Sequence, residues 1–134
     1  MSKEDFRERT VIDERRRPIR LKQGIIPDTT GIYLKIEHGP DAGAMADLSA
    51  GGVYVIGRDD ADLAVHDGKV SRRHAEIGLY GPGAFIVRDL ASTNGTRVNG
   101  KPVSDRQKLR NGDLIEVGDT GIRFTVIEGG IRVS

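Results

Sequence analysis

Ala75-Glu76-Ile77-Gly78-Leu79-Tyr80, then Gly81-Pro82-Gly83, then Phe85-Ile86-Val87-Arg88-Asp89, then Asn94-Gly95, Thr96-Arg97-Val98 and Asn99-Gly100: this stretch decides the fold. Short runs with β-branched and aromatic residues are each closed by glycine, proline or Asn-Gly. Such punctuation marks strands joined by tight turns. Asn-Gly supplies the positive φ angles that two-residue hairpin turns require.

The same texture extends in both directions. Upstream, Ile32, Leu34 and Ile36 alternate with Tyr33, Lys35 and Glu37, the period of a half-buried strand. Val53–Ile56 and Leu63–Val65 are further strand candidates, with Gly51-Gly52 as a turn. Downstream, Leu114–Val117 and Ile122–Ile127 follow the turn at Asn111-Gly112. Many short strands at close spacing, with no helical pattern among them, predict an all-β, antiparallel β-sandwich of about ten to eleven strands.

The N-terminal segment reads differently. Ser2–Lys22 is dense in charge, and its large apolar residues, Phe6, Val11, Ile12, Ile19 and Leu21, follow neither period. Too little apolar surface is available there to offset ordering entropy. The expected organisation is a charged flexible arm over 1–28 and one domain over 29–134.

Composition excludes several function classes. A chain of 134 residues holds one domain with a real core. It has no cysteine, so disulfides, thiolate metal sites and thiol catalysis are excluded. No apolar run approaches the ~20 residues of a membrane span, and Met1–Thr10 lacks a secretory h-region. A cytoplasmic protein that binds no membrane is expected. Residues 1–28 hold eight Lys/Arg against six Asp/Glu, and residues 29–134 hold thirteen against fourteen. That balance opposes nucleic-acid binding by the domain, which needs a clustered positive field. Any anion must be recognised by a focused site.

Three clusters punctuate the strands: Gly57-Arg58, Lys69-Val70-Ser71-Arg72-Arg73-His74 and Asp89-Leu90-Ala91-Ser92-Thr93-Asn94-Gly95. Arginine offers a planar fork of donors suited to phosphate. Serine and threonine hydroxyls donate, and asparagine can both donate to and accept from a peptide backbone. No nucleophile with its base accompanies them, and His38 and His66 have no acidic or histidine neighbours at ligand spacing. The reading is anion recognition on loop tips, with no enzymatic activity, no cofactor and no metal.

Gly-Arg, then Ser-x-x-His, then Ser-Thr-Asn-Gly-Thr and a second Asn-Gly, in that order, resemble the forkhead-associated (FHA) domain. The run Leu109–Gly118 resembles that family's next hallmark, and the match spans roughly residues 31–127. The resemblance implies a phosphothreonine-binding module in Ser/Thr-kinase-dependent signalling. By that resemblance Arg58 holds the phosphate, Ser71 donates to it, Thr93 lines the pocket and Asn94 holds the ligand's main chain. Arg72 stands where the family contacts the peptide backbone, often through asparagine. Lys69 stands where the family can face the third residue after the phosphothreonine, so an acidic residue is expected there. Gly57, His74, Gly95, Asn99 and Gly100 are expected to support the loops.

The implied partner is a phosphothreonine-containing protein, or the chain's own arm phosphorylated by a Ser/Thr protein kinase. Thr10, Thr29 and Thr30 are the candidate phosphorylation sites. The alternative is a phosphate-independent interaction scaffold.

Overall fold

The computed structural model describes residues 26–27 and 29–128. Most of the arm expected over residues 1–28, Thr10 included, lies outside the described residues, as do residues 129–134. Eleven strands follow in chain order: β1 (Thr30–His38), β2 (Met45–Asp47), β3 (Gly52–Gly57), β4 (Leu63–Ala64), β5 (Ala75–Leu79), β6 (Phe85–Asp89), β7 (Thr96–Val98), β8 (Lys101–Pro102), β9 (Arg106–Lys108), β10 (Leu114–Val117) and β11 (Thr120–Glu128). No helix of the described residues is long and apolar enough to cross a membrane.

The strands form two sheets, one in the order β2-β1-β11-β10-β7-β8 and the other β4-β3-β5-β6-β9. Every pairing is antiparallel except β3 with β4. Alternation decides which face of each strand is buried. In β1, Ile32, Leu34 and Ile36 are fully buried, while Lys35 and Glu37 are exposed. β11 pairs along β1 from Thr30↔Glu128 to Ile36↔Ile122, so Ile122 and Phe124 enter the same core. From the opposite sheet come Ile56, Ile77, Leu79, Phe85 and Val87. Phe85 and Phe124 meet edge to face across the sandwich, with ring centroids 5.7 Å apart, a favoured aromatic geometry. Ile26, which belongs to the segment read as the arm, is also buried in this core and packs beside Gly51. Packing of the domain thus includes Ile26.

The Asn99-Gly100 turn joins β7 to β8 with both residues at positive φ, 51° and 83°, as a two-residue hairpin demands. Three strands carry no legible pattern: β2, β8 and β9 are two or three residues long and mostly exposed. They exist because a longer neighbour offers a ladder. Pro102 is tolerated in β8 because that strand is an edge.

Strand direction sorts the loops. The pairs Ile56↔Ala75, Ala75↔Asp89 and Val117↔Thr96 bring the ends of β3, β6 and β10 and the starts of β5 and β7 to one end of the sandwich. Thr30, Glu128, Gly51 and the Asn99-Gly100 turn lie at the other.

Candidate functional site

Three loops converge at the first end: β3–β4 (58–62), β4–β5 (65–74) and β6–β7 (90–95). Gly57 ends β3 hard against the second loop, where any Cβ would collide with the Arg72 carbonyl oxygen. Glycine is required there for close backbone approach, not for an unusual φ. That contact lets Arg58 N donate to Ser71 O at 3.0 Å and Asp59 N to Arg72 O at 3.2 Å. The side chain of Arg58 is fixed by its Nε, which donates to Val70 O at 3.0 Å. The two terminal nitrogens of the guanidinium have no acceptor among the described residues, so the end of the fork is open.

His74 joins the second loop to the third. Its ring is fully buried. Ser71 N donates to its Nδ1 at 3.0 Å, so Nδ1 is the acceptor and the ring proton sits on Nε2. Nε2 then donates to Gly95 O at 2.7 Å. Thr93 N donates to Ser71 Oγ at 3.0 Å. With its oxygen engaged as an acceptor, the Ser71 hydroxyl keeps its own proton to donate. Asn94 Nδ2 donates to Lys69 O at 2.9 Å, which leaves Asn94 Oδ1 and a second N–H on the exposed side.

Two carboxylates hold the loops from beneath. Asp67 is 6% exposed. It accepts from Lys69 N at 2.9 Å, from Asp119 N at 2.8 Å and from the Thr120 hydroxyl at 2.9 Å. This ties the β4–β5 loop to the β10–β11 turn. The Lys69 backbone N–H, with the Asp119 and Thr120 donors, outweighs burial and holds the Asp67 carboxyl below its ordinary pKa. Asp89 accepts from Ser92 N at 3.0 Å, Ser92 Oγ at 2.6 Å and Thr96 Oγ1 at 2.7 Å. Burial pushes its carboxyl up, but the Ser92 and Thr96 hydrogen bonds leave it below the ordinary range. These bonds also fix Ala91 at a φ of 56°, a conformation that costs a non-glycine residue ~1–2 kcal/mol.

The structure therefore brings Gly57, Arg58, Lys69, Ser71, Arg72, His74, Thr93, Asn94 and Gly95 together. It does not bring Asn99 and Gly100 to the loops. They sit at the far end of β7, where Asn99 Nδ2 donates to Asp113 and Asn99 Oδ1 accepts from Leu114 N, both at 2.9 Å. That pair steadies the approach to β10 instead. Thr29 and Thr30 also lie at the far end, where Thr30 N donates to Pro27 O. Lys69 does not stand free: its Nζ lies 3.2 Å from Asp119 Oδ2. The sequence reading assigned no role to Asp67, Asp89, Ser92 or Asp119. Asp89 and Ser92 had a local signal, an Asp-x-x-Ser turn pattern, whereas the Asp67 bond to Asp119 N spans 52 residues and had none.

Comparison with known proteins agrees with the fold. The FHA-domain family model matches residues 54–118. The glycogen accumulation regulator GarA of Mycolicibacterium smegmatis is 42% identical over 91 residues, 68% of this chain and 56% of that protein. The oxoglutarate dehydrogenase inhibitor of Corynebacterium glutamicum is 38% identical, with 75% of each chain covered. This chain thus spans less than two thirds of the regulator's length. Among solved structures, an FHA domain studied for phosphothreonine-dependent interactions is similar at 35% identity and a TM-score of 0.63, covering 71% of this chain and 95% of that one. With that similarity and the three interlocked loops, the chain belongs to the FHA-domain family.

Proposed function

We propose that the chain is a phosphothreonine-peptide-binding module that acts in Ser/Thr-kinase-dependent signalling and is not itself an enzyme. One observation carries this reading: the open end of the Arg58 guanidinium lies on the same loops as a Ser71 hydroxyl that retains its proton. A phosphothreonine brings about −1.5 to −2 charges and three acceptor oxygens, which this donor set complements. Thr93 flanks the pocket, and Asn94 Oδ1 with its second N–H is available to the ligand's main chain. Arg72 lies at the rim for a backbone contact, with its Nε 3.4 Å from Asp59. Its partner would be a phosphothreonine-containing protein, by analogy with the similar FHA domain studied for phosphothreonine-dependent interactions.

The arm as its own ligand is the finer form of this proposal. Ile26 anchors the arm at the end opposite the loops, so a self-bound threonine must pass the nine-residue length of β1, ~30 Å. Thr10 lies sixteen residues from that anchor, which allows an extended reach of ~55 Å. Phosphorylated Thr10 would then meet its own domain at a millimolar-scale effective concentration. Thr29 abuts β1 and Thr30 begins it, so both can engage only another molecule.

The test is calorimetry with one peptide in its threonine and phosphothreonine forms, on the wild type and on Arg58→Ala. Binding that requires both phosphate and Arg58 is expected. Equal binding of the unphosphorylated peptide would favour the phosphate-independent scaffold.

A further inference from the structure

Charge on the loop end is arranged in a way that phosphate binding alone does not explain. The loops at this end, including 39–44, 103–105 and the Gly118-Asp119 turn, carry four Lys/Arg: Arg58, Lys69, Arg72 and Arg73. They carry seven aspartates, at positions 41, 59, 60, 62, 67, 105 and 119. Counting histidine as neutral, the loops that would receive a dianion are thus themselves negative by three charges.

Pairing sharpens the imbalance. Lys69 is matched with Asp119 at 3.2 Å, Arg72 with Asp59 at 3.4 Å and Arg73 with Asp60 at 3.6 Å. The His66 ring lies 2.7 Å from Asp41. Among the described residues, Arg58 is the one arginine or lysine of these loops with no carboxylate in range. The phosphate therefore has one open cation, while the flanks of the ligand meet exposed aspartates. The side chains of Asp59, Asp60 and Asp119 are 67%, 67% and 70% exposed, and each has lone pairs beyond those facing its own cation.

We infer that this site takes its phosphothreonine from a basic segment, and that Asp59 and Asp119 are the residues that reject acidic flanks. The inference rests on the proposed phosphothreonine reading and narrows its ligand class. Lys69 then does not recruit an acid, because Asp119 already holds it. An acidic ligand residue must compete for Lys69 while facing Asp119 at short range. A lysine or arginine of the ligand instead adds to the aspartates and offsets the negative field that opposes a phosphorylated chain.

Fluorescence anisotropy on the full chain would test this, with three versions of one phosphothreonine peptide. The three residues on each side of the phosphothreonine are lysine, alanine or aspartate. The expected order of affinity is lysine, alanine, aspartate. The extremes should differ on the order of tenfold at low salt, given ~1.4- to 5-fold for each exposed pair, and converge at 0.5 M salt. The double variant Asp59→Asn, Asp119→Asn should lose most of this discrimination by tightening the aspartate peptide. Aspartate flanks that bind as well as lysine flanks would overturn the inference, as would discrimination unchanged in the double variant. Failure of all three peptides to bind in a phosphate-dependent way would overturn the underlying reading as well. Phosphate-dependent binding without charge preference would overturn this inference alone.

Discussion

His74→Phe is the substitution that most directly separates loop registration from phosphate contact. The ring is fully buried, so phenylalanine keeps most of the volume and opens no large cavity. It removes the acceptor of Ser71 N at 3.0 Å and the donor to Gly95 O at 2.7 Å. Each lost hydrogen bond is worth a net ~0.5–1.5 kcal/mol, and a partner left unsatisfied and buried raises the cost to ~1–3 kcal/mol. The two costs overlap, because both loops can relax once they separate, so a total of about 2–4 kcal/mol is expected. A domain stable by ~5–15 kcal/mol survives that loss. The urea midpoint should fall by ~1–2 M at unchanged slope. Phosphopeptide affinity of the folded variant should fall at least on the order of tenfold, since Ser71 and Gly95 no longer hold the second and third loops in register. A variant within ~0.5 kcal/mol of the wild type that binds phosphopeptide equally well would refute the assignment.

Three further outcomes are expected. Gly57→Ala should destabilise by ~1–3 kcal/mol in urea unfolding, because its Cβ meets the Arg72 carbonyl oxygen rather than a flexible side chain. Arg58→Lys should recover little of the ~2–4 kcal/mol of binding lost in Arg58→Ala, since an ammonium cannot both hold Val70 O and present a planar fork; calorimetry of the two variants decides this. The folded-state pKa of Asp67 is depressed, so its contribution to stability is full above the unfolded value of ~3.9 and lost as pH falls through the folded one. Asp67→Asn should therefore be less stable at pH 7 and show a shallower fall in urea midpoint below pH 4. An identical pH slope in the two proteins would remove Asp67 from acid unfolding.

What the sequence made legible follows from how far each interaction reaches along the chain. β1, β3, β5, β6, β7, β10 and β11 announced themselves because burial on one face imposes alternation, and glycine or Asn-Gly must close each hairpin. β2, β8 and β9 lack that signature because they lie at or near sheet edges and bury almost nothing, so only their neighbours define them. Within the site, Gly57, Arg58, Ser71, His74, Thr93 and Asn94 were readable as an ordered set of residue types in loops. Asn99 and Gly100 were read correctly as a turn, but a turn signal does not say at which end of its strand the turn lies. Here the direction of β7 sends them away from the loops.

The aspartates were illegible for a different reason. Lys69 beside an open-looking Ser71 reads as a free cation, and its partner Asp119 stands fifty positions away, in the turn between β10 and β11. Only closure of the sandwich brings that turn beneath the β4–β5 loop, where Asp67 fastens it through Asp119 N and the Thr120 hydroxyl. A sequence pattern therefore identifies the groups able to contact a phosphate, but not the charge that surrounds them. That charge is a property of the fold, since the carboxylates facing Lys69 and His66 come from turns distant in the chain. On the proposed reading, the donors for the phosphate and the electrostatic selection of its flanks are accordingly separable, and substitutions at one are expected to leave the other in place.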